Sequence, residues 1–138
     1  MIFEKECVEL RDDPVIAKKN NGIGFRLENP KRKKVELVDI DCAIPASTIK
    51  CDFLARVEHA GYFIELKGQD LPYAIRQIVA TMKDYDRSGN QRLKSRTAVV
   101  AYSRNKVSST RMKILTQELA AKFNTRLIHN KKVCSVTI

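Results

Sequence analysis

The chain has 138 residues, 43% hydrophobic and 30% charged, with 5 Gly and 4 Pro, a composition that excludes a fibre or a disordered tail and fits one domain with a buried core. Lys and Arg number 26 against 16 Asp and Glu, a formal charge of +10, which favours a polyanionic partner, nucleic acid before membrane. No apolar run reaches the roughly 20 residues of a bilayer span, and the N-terminal MIFEKECVEL places Glu4, Glu6 and Glu9 where a secretory signal is uncharged, so a cytoplasmic protein is expected.

In chain order, residues 1–33 carry little periodicity: a short helix before Asp13-Pro14 is one reading, followed by Asn20-Asn21-Gly22 turn chemistry and the basic run Lys31, Arg32, Lys33, Lys34. VELVDIDCAI, residues 35–44, is β-branched and partly alternating and predicts a strand; Pro45, Ala46, Ser47 and Thr48 turn the chain. KCDFLARVEH and YFIELKG read as two further strands around Ala60-Gly61, giving an antiparallel meander. The next segment is an amphipathic helix: Asp70 is placed to cap it, Pro72 falls in its first turn, and Ala74, Ile75, Ile78, Val79 and Met82 recur at helical spacing. Residues 87–96 are polar and basic and read as a loop. Residues 97–102 form an apolar run expected of a strand covered on both faces. A second helix is predicted over residues 109–123 with Met112, Leu115, Leu119 and Phe123 inward, and two short strands, near 127–129 and 133–138, end the chain. The order βββ, α, β, α, β implies an α/β domain with a mixed sheet.

Cys7, Cys42, Cys51 and Cys134 include no CxxC pair, and His59 and His129 are the two histidines, so zinc-ligand spacing is absent and reduced, buried thiols are expected.

The facing of the hairpin carries the chemistry. A two-residue loop at Ala60-Gly61 pairs His59 with Tyr62, sets Arg56 opposite Glu65 and Leu54 opposite Lys67, and leaves Asp52 one step beyond; a three-residue loop with a bulge gives the same facing. Asp52, Glu65 and Lys67 then share one face. Phe53, Ala55, Val57, Tyr62, Ile64 and Leu66 form an apolar surface on the other. A four-residue loop at residues 45–48 pairs Ile44 with Ile49 and brings Asp41 opposite Asp52, where facing carboxylates repel. A cation between Asp52 and Glu65, with Asp41 nearby, removes that conflict, and an all-oxygen set suits Mg²⁺ or Mn²⁺ better than zinc.

Asp52, twelve intervening residues, then Glu65-Leu66-Lys67 at a strand end and a helix bearing Gln77: this pattern resembles the PD-(D/E)XK nuclease superfamily, whose restriction-endonuclease-like core is a three-stranded meander, a helix, a strand and another helix. The resemblance covers about residues 34–138, and IELKG, residues 64–68, is typical of its small bacterial and phage members. It implies that Asp52 and Glu65 hold one or two divalent ions with the Leu66 carbonyl, and that Lys67 orients or polarises the attacking water. Gln77 resembles the glutamine many relatives place beside the metal; its plainer reading is a polar residue bordering an apolar stripe. Cys51 stands where proline is common. For the acid that many relatives supply from an N-terminal helix, the candidates are Glu6, Glu9 and Asp41.

The resemblance and the charge together lead to a divalent-metal-dependent endonuclease acting on DNA in preference to RNA, in repair, recombination or defence, with four-way-junction resolution as a narrower form. The alternative is a non-catalytic basic nucleic-acid-binding module. Either acts as a homodimer or as a subunit of a larger complex. The phosphate-contacting candidates are Lys31, Arg32, Lys33 and Lys34, the loop residues Arg87, Arg92, Lys94 and Arg96, and Arg104, Lys106, Arg111 and Lys113 around the second helix.

Overall fold

The structure is a computed structural model that describes residues 3–44, 48–67 and 70–138. The six-stranded main sheet has the order β1 (Val8–Arg11), β4 (Val35–Asp39), β5 (Phe53–Val57), β6 (Ala60–Lys67), β7 (Ser95–Tyr102), β8 (Thr125–Lys131). Its first four strands pair antiparallel, and β6, β7 and β8 run parallel to one another. A second sheet of three strands, β2 (Val15–Asn20), β3 (Ile23–Glu28) and β9 (Val133–Thr137), has β3 antiparallel to β2 and parallel to β9. Helix α1 (Ile40–Ala43) follows β4, while α2 (Leu71–Arg87) and α3 (Ser109–Phe123) are the two crossovers between parallel strands.

The main sheet is the middle of three layers, because residues alternate between its faces. Leu54, Phe63, Ala98 and Val100 meet Ile75, Ile78 and Met82 of α2 and Leu115 and Leu119 of α3 on one face. Ala55, Val57, Ile64, Val99 and Ala101 meet Ile16, Phe25, Leu27, Cys134 and Val136 of the small sheet on the other. A mixed α/β architecture with a sheet-rich core is therefore present.

Both long helices start and stop where local chemistry directs. The Asp70 carboxylate accepts from the Tyr73 N–H at 3.0 Å, and a proline occupies the first turn of α2. Ser108 Oγ accepts from the Arg111 N–H at 3.1 Å, and Asn124, at φ +49°, closes α3 in the left-handed conformation. Ser109–Phe123 is the predicted second helix, with Leu115 and Leu119 buried and Met112 and Phe123 packed partly against the core.

Four expectations are corrected. The stretch before Asp13-Pro14 is a 3₁₀ turn (Lys5–Cys7) and a strand, and residues 15–28 form a hairpin across Asn21 and Gly22, both at positive φ (+53° and +79°), as a tight primed turn requires. The strand expected over residues 35–44 ends at Asp39, because the Asp39 carboxylate accepts the Cys42 N–H and caps α1; Asp41 thus sits in a helical turn and not across the sheet from Asp52. The β5–β6 loop is Glu58-His59, with Val57 paired to Ala60. Gly61 lies inside β6 because Leu93 occupies the space a side chain would need: a Cβ there meets Leu93 Cδ1 at 2.4 Å. Finally, Cys7 and Cys42 are joined by a disulfide, and only Cys51 and Cys134 are free thiols, both buried. The turn expected at Pro45, Ala46 and Ser47, and Gly68 and Gln69 after β6, lie outside the described residues. Among the described residues no helix is long and apolar enough to cross a membrane.

Candidate active site

The shift of the hairpin loop moves the register by an even number of residues, so the facing survives and the pairing changes. Phe53 pairs with Ile64 and Leu54 with Phe63; Arg56 faces Gly61 instead of Glu65, and the ladder ends at Phe53, with Asp52 in the bend just before it and its carboxyl beside that of Glu65. Glu65 and Lys67 alternate with Ile64 and Leu66 along β6, so they lie on the helix-covered face while Ile64 and Leu66 pack toward the small sheet.

Asp52 is fixed from three directions. Its N–H donates to the Ile64 carbonyl at 3.0 Å, its carbonyl accepts from the Ile40 N–H at 3.0 Å, and Oδ2 accepts from the Leu66 N–H at 2.8 Å. Helix α2 holds the residues just before it: Gln77 Nε2 donates to the Lys50 carbonyl at 3.0 Å, and the Cys51 N–H donates to Thr81 Oγ1 at 2.8 Å. Gln77 and Thr81 are four apart on one helix face, so a single surface of α2 positions the chain that presents Asp52.

Burial dominates the electrostatics. Glu65 is 3% exposed, and burial, followed by the charge of Asp52, pushes its carboxyl up to about 8. Asp52 is also raised, chiefly by burial, with Asp41 adding to the rise and the Leu66 N–H and Lys67 opposing it. Lys67 is half-buried, its Nζ 4.7 Å from the centre of the Tyr73 ring. Tyr102 lies directly across from Lys67 on β7, and its hydroxyl meets His129 Nδ1 at 3.1 Å. The Cys51 thiol, pushed up to about 12 by burial, is no nucleophile.

Of the three acids proposed to complete the site, Asp41 is the one whose charge reaches Asp52; its carboxylate is exposed and lies 3.4 Å from Lys50 Nζ. Glu6 interacts with its own backbone and Glu4, and Glu9, paired to Leu37, faces the small sheet and bonds Lys18 and Arg11. Among the described residues no three His, Cys, Asp or Glu side chains converge as a metal-holding group. What the site does offer is a carboxylate pair in which Glu65 Oε1 is buried without a hydrogen-bond partner, and Gln77 Oε1 is in the same condition. Orphaned buried acceptors of this kind are costly unless a proton, water or cation satisfies them. Two carboxylates with backbone oxygen and water fit Mg²⁺, which keeps several waters and takes few protein ligands.

No family model matches the sequence, and no curated protein or solved structure matches it.

The basic candidates divide into two places. Arg104 and Lys106 follow β7, and Arg111 lies in the first turn of α3; all three are exposed at the end of the sheet where Lys67 lies. Lys31, Arg32, Lys33 and Lys34 precede β4, and Arg92, Lys94 and Arg96 lie at the start of β7, so both groups sit at the opposite end, beside the Glu58-His59 turn. Within them Arg96 is committed to Asp86 (2.9 Å) and the Phe123 carbonyl (2.9 Å), a structural role. Sequence reasoning missed Thr81 and Lys50. The signal for Thr81 was a hydroxyl inside the apolar stripe of α2, one turn after Gln77.

Proposed function

We propose that this protein is a divalent-metal-dependent phosphodiesterase acting on nucleic acid, DNA before RNA, on a scaffold of the PD-(D/E)XK kind. The observation that carries the reading is the carboxylate pair: Asp52, just before β5, lies beside Glu65 of β6, one pinned by a backbone N–H and the other buried with an unsatisfied oxygen, with Lys67 two residues further along. The succession of β4, β5, β6, α2, β7 and α3, with β6 and β7 parallel, supports the scaffold assignment.

Asp52, Glu65 and the Leu66 carbonyl would hold the ion, with the negative charge of Asp41 nearby. Mg²⁺ or Mn²⁺ bound there supplies Lewis-acid neutralisation of phosphate charge and acidifies water. The side chains do the remaining work. Glu65 must give up its proton on binding the ion, which ties metal affinity to pH. Lys67, beside the pair, binds a phosphate oxygen and favours the deprotonated form of a neighbouring water. Helix α2, through Gln77 and Thr81, keeps Asp52 from drifting. Arg104, Lys106 and Arg111 hold the flanking backbone by sequence-independent charge.

A non-catalytic binding module is the second reading, favoured by the lack of a three-acid group among the described residues. The test is cleavage of labelled linear, single-stranded and four-way-junction DNA, with an RNA control, in Mg²⁺, Mn²⁺ or EDTA, for the native protein and Glu65→Ala. Metal-dependent cutting lost in the variant supports hydrolysis. Equal, salt-sensitive binding by both proteins without cutting supports the binding module.

A further inference from the structure

The basic groups at the far end of the sheet do not merely lie on its surface. A cleft of about 300 Å³ opens beside the β5–β6 turn, lined by Lys33, Glu58, His59, Tyr62, Lys94 and Ser95. It brings together the cationic stretch before β4 and the loop before β7, which are far apart in sequence. The loop is docked on His59: the Lys94 N–H donates to the His59 carbonyl at 2.7 Å, and the Gln91 side-chain Nε2 contacts His59 Nδ1 at 3.0 Å. Lys31, Lys34 and Arg92 are exposed nearby, whereas the acid that lines the cleft, Glu58, is already 3.4 Å from Lys33. With Lys31, Lys33, Lys34, Arg92 and Lys94 against Glu58 the balance is cationic, in an open recess with room for a phosphate group.

Its position is informative. β6 has eight residues between Ala60, at the cleft, and Lys67, at the carboxylate pair, a span of roughly 23 Å. Val57 and Tyr62, which line the cleft, pack with the small-sheet core, while Glu65 and Lys67 project to the helix-covered face. The two places therefore differ in both end and face, so one straight duplex cannot lie against both.

We infer that the cleft is a second, non-catalytic phosphate-binding place that holds a separate duplex segment of the same nucleic acid, so that branched substrates bind better than straight ones. The identity of the ligand rests on the nucleic-acid reading above; the separation of the two places does not.

The test measures binding in EDTA, so that it is independent of cleavage, comparing a four-way junction with a straight duplex of about 12 base pairs for the native protein, Lys33→Gln/Lys94→Gln, and the charge-matched control Lys5→Gln/Lys122→Gln. The expected result is preference for the junction in the native protein, a loss of roughly 10-fold for the junction only in Lys33→Gln/Lys94→Gln, and a fall of about 2 in the magnitude of its salt slope. Equal native affinity for both substrates overturns the inference, as does an equal loss on both, no loss on either, or the same loss in the control. A parallel Mg²⁺ cleavage assay on the short duplex reads the hydrolytic proposal separately: native junction preference without cutting leaves the second place standing and removes the first.

Discussion

Glu65→Gln is predicted to stabilise the metal-free protein at alkaline pH, although it removes a residue at the centre of the candidate site. Burial beside Asp52 pushes the Glu65 carboxyl up to about 8 from its ordinary 4.5. The folded chain thus holds the proton more tightly than the unfolded chain does. Stability contributed by this group is complete below the lower value and is lost as pH rises through the interval, at up to about 1.4 kcal/mol per pH unit. The limiting loss is about 5 kcal/mol, and we expect about 2–4 because water reaching half-buried Asp52 screens part of it. Between about pH 6 and about pH 9 only a little over half of that interval is crossed, a loss of about 1–2 kcal/mol, which for a chain of 138 residues corresponds to a melting point about 4–8 °C lower at the higher pH in EDTA. The amide that Glu65→Gln introduces cannot ionise, so this decline should be much shallower in the variant. Mg²⁺ should restore the native protein at high pH and leave the variant unchanged. Parallel pH profiles in EDTA for the two proteins would refute the argument, because the destabilisation then has another source.

Asp52→Ala and Lys67→Met should each lower metal-dependent cleavage by roughly 1,000-fold, with duplex affinity in EDTA nearly unchanged; titrated binding and single-turnover cleavage separate the two. Gln77→Leu should weaken Mg²⁺ binding by about 10–100-fold through the released Lys50 carbonyl, read by isothermal titration. Thr81→Val leaves the buried Cys51 N–H without its acceptor and should cost about 1–3 kcal/mol in urea unfolding. Replacing Cys7 and Cys42 by Ser removes a cross-link spanning 35 positions and should cost about 3–4 kcal/mol by the chain-entropy argument, a loss that dithiothreitol reproduces in the native protein.

What the sequence disclosed and what it withheld follow from the range of the interactions. Helices α2 and α3 announce themselves because their caps, stripes and ends are local: Asp70, Pro72, Ser108 and Asn124 act within a turn of their own positions. The facing of Asp52 and Glu65 was legible because alternation has a period of two, and an error of an even number of residues does not change it. The register that brings them together was not, since it depends on Glu58 accepting a positive φ of +55° and on Leu93 arriving from a distant loop to fill the space above Gly61. The N-terminal strands were hidden for the same reason. Only Ile16 of β2 and Phe25 and Leu27 of β3 are fully covered apolar side chains, and the strand that completes their sheet, β9, comes from the opposite end of the chain. Asn21-Gly22 was the one local sign of that hairpin. The third acid was obscured by Asp39, whose capping of α1 turns Asp41 out of the strand.

The Cys7–Cys42 bond joins the turn before β1 to the helix after β4, at the margin of the main sheet. β1 has four residues, and Leu10 within it is 77% exposed, so little burial retains it. β1 nonetheless covers the outer edge of β4 from Val35 to Val38, a stretch that also carries Leu37. An uncovered edge of that kind is a template for pairing with other chains. The disulfide therefore acts as a latch on a protective strip: once reduced, the strip can peel while the layers beneath it stay folded, and the consequence at high concentration is self-association along β4 before any loss of the core.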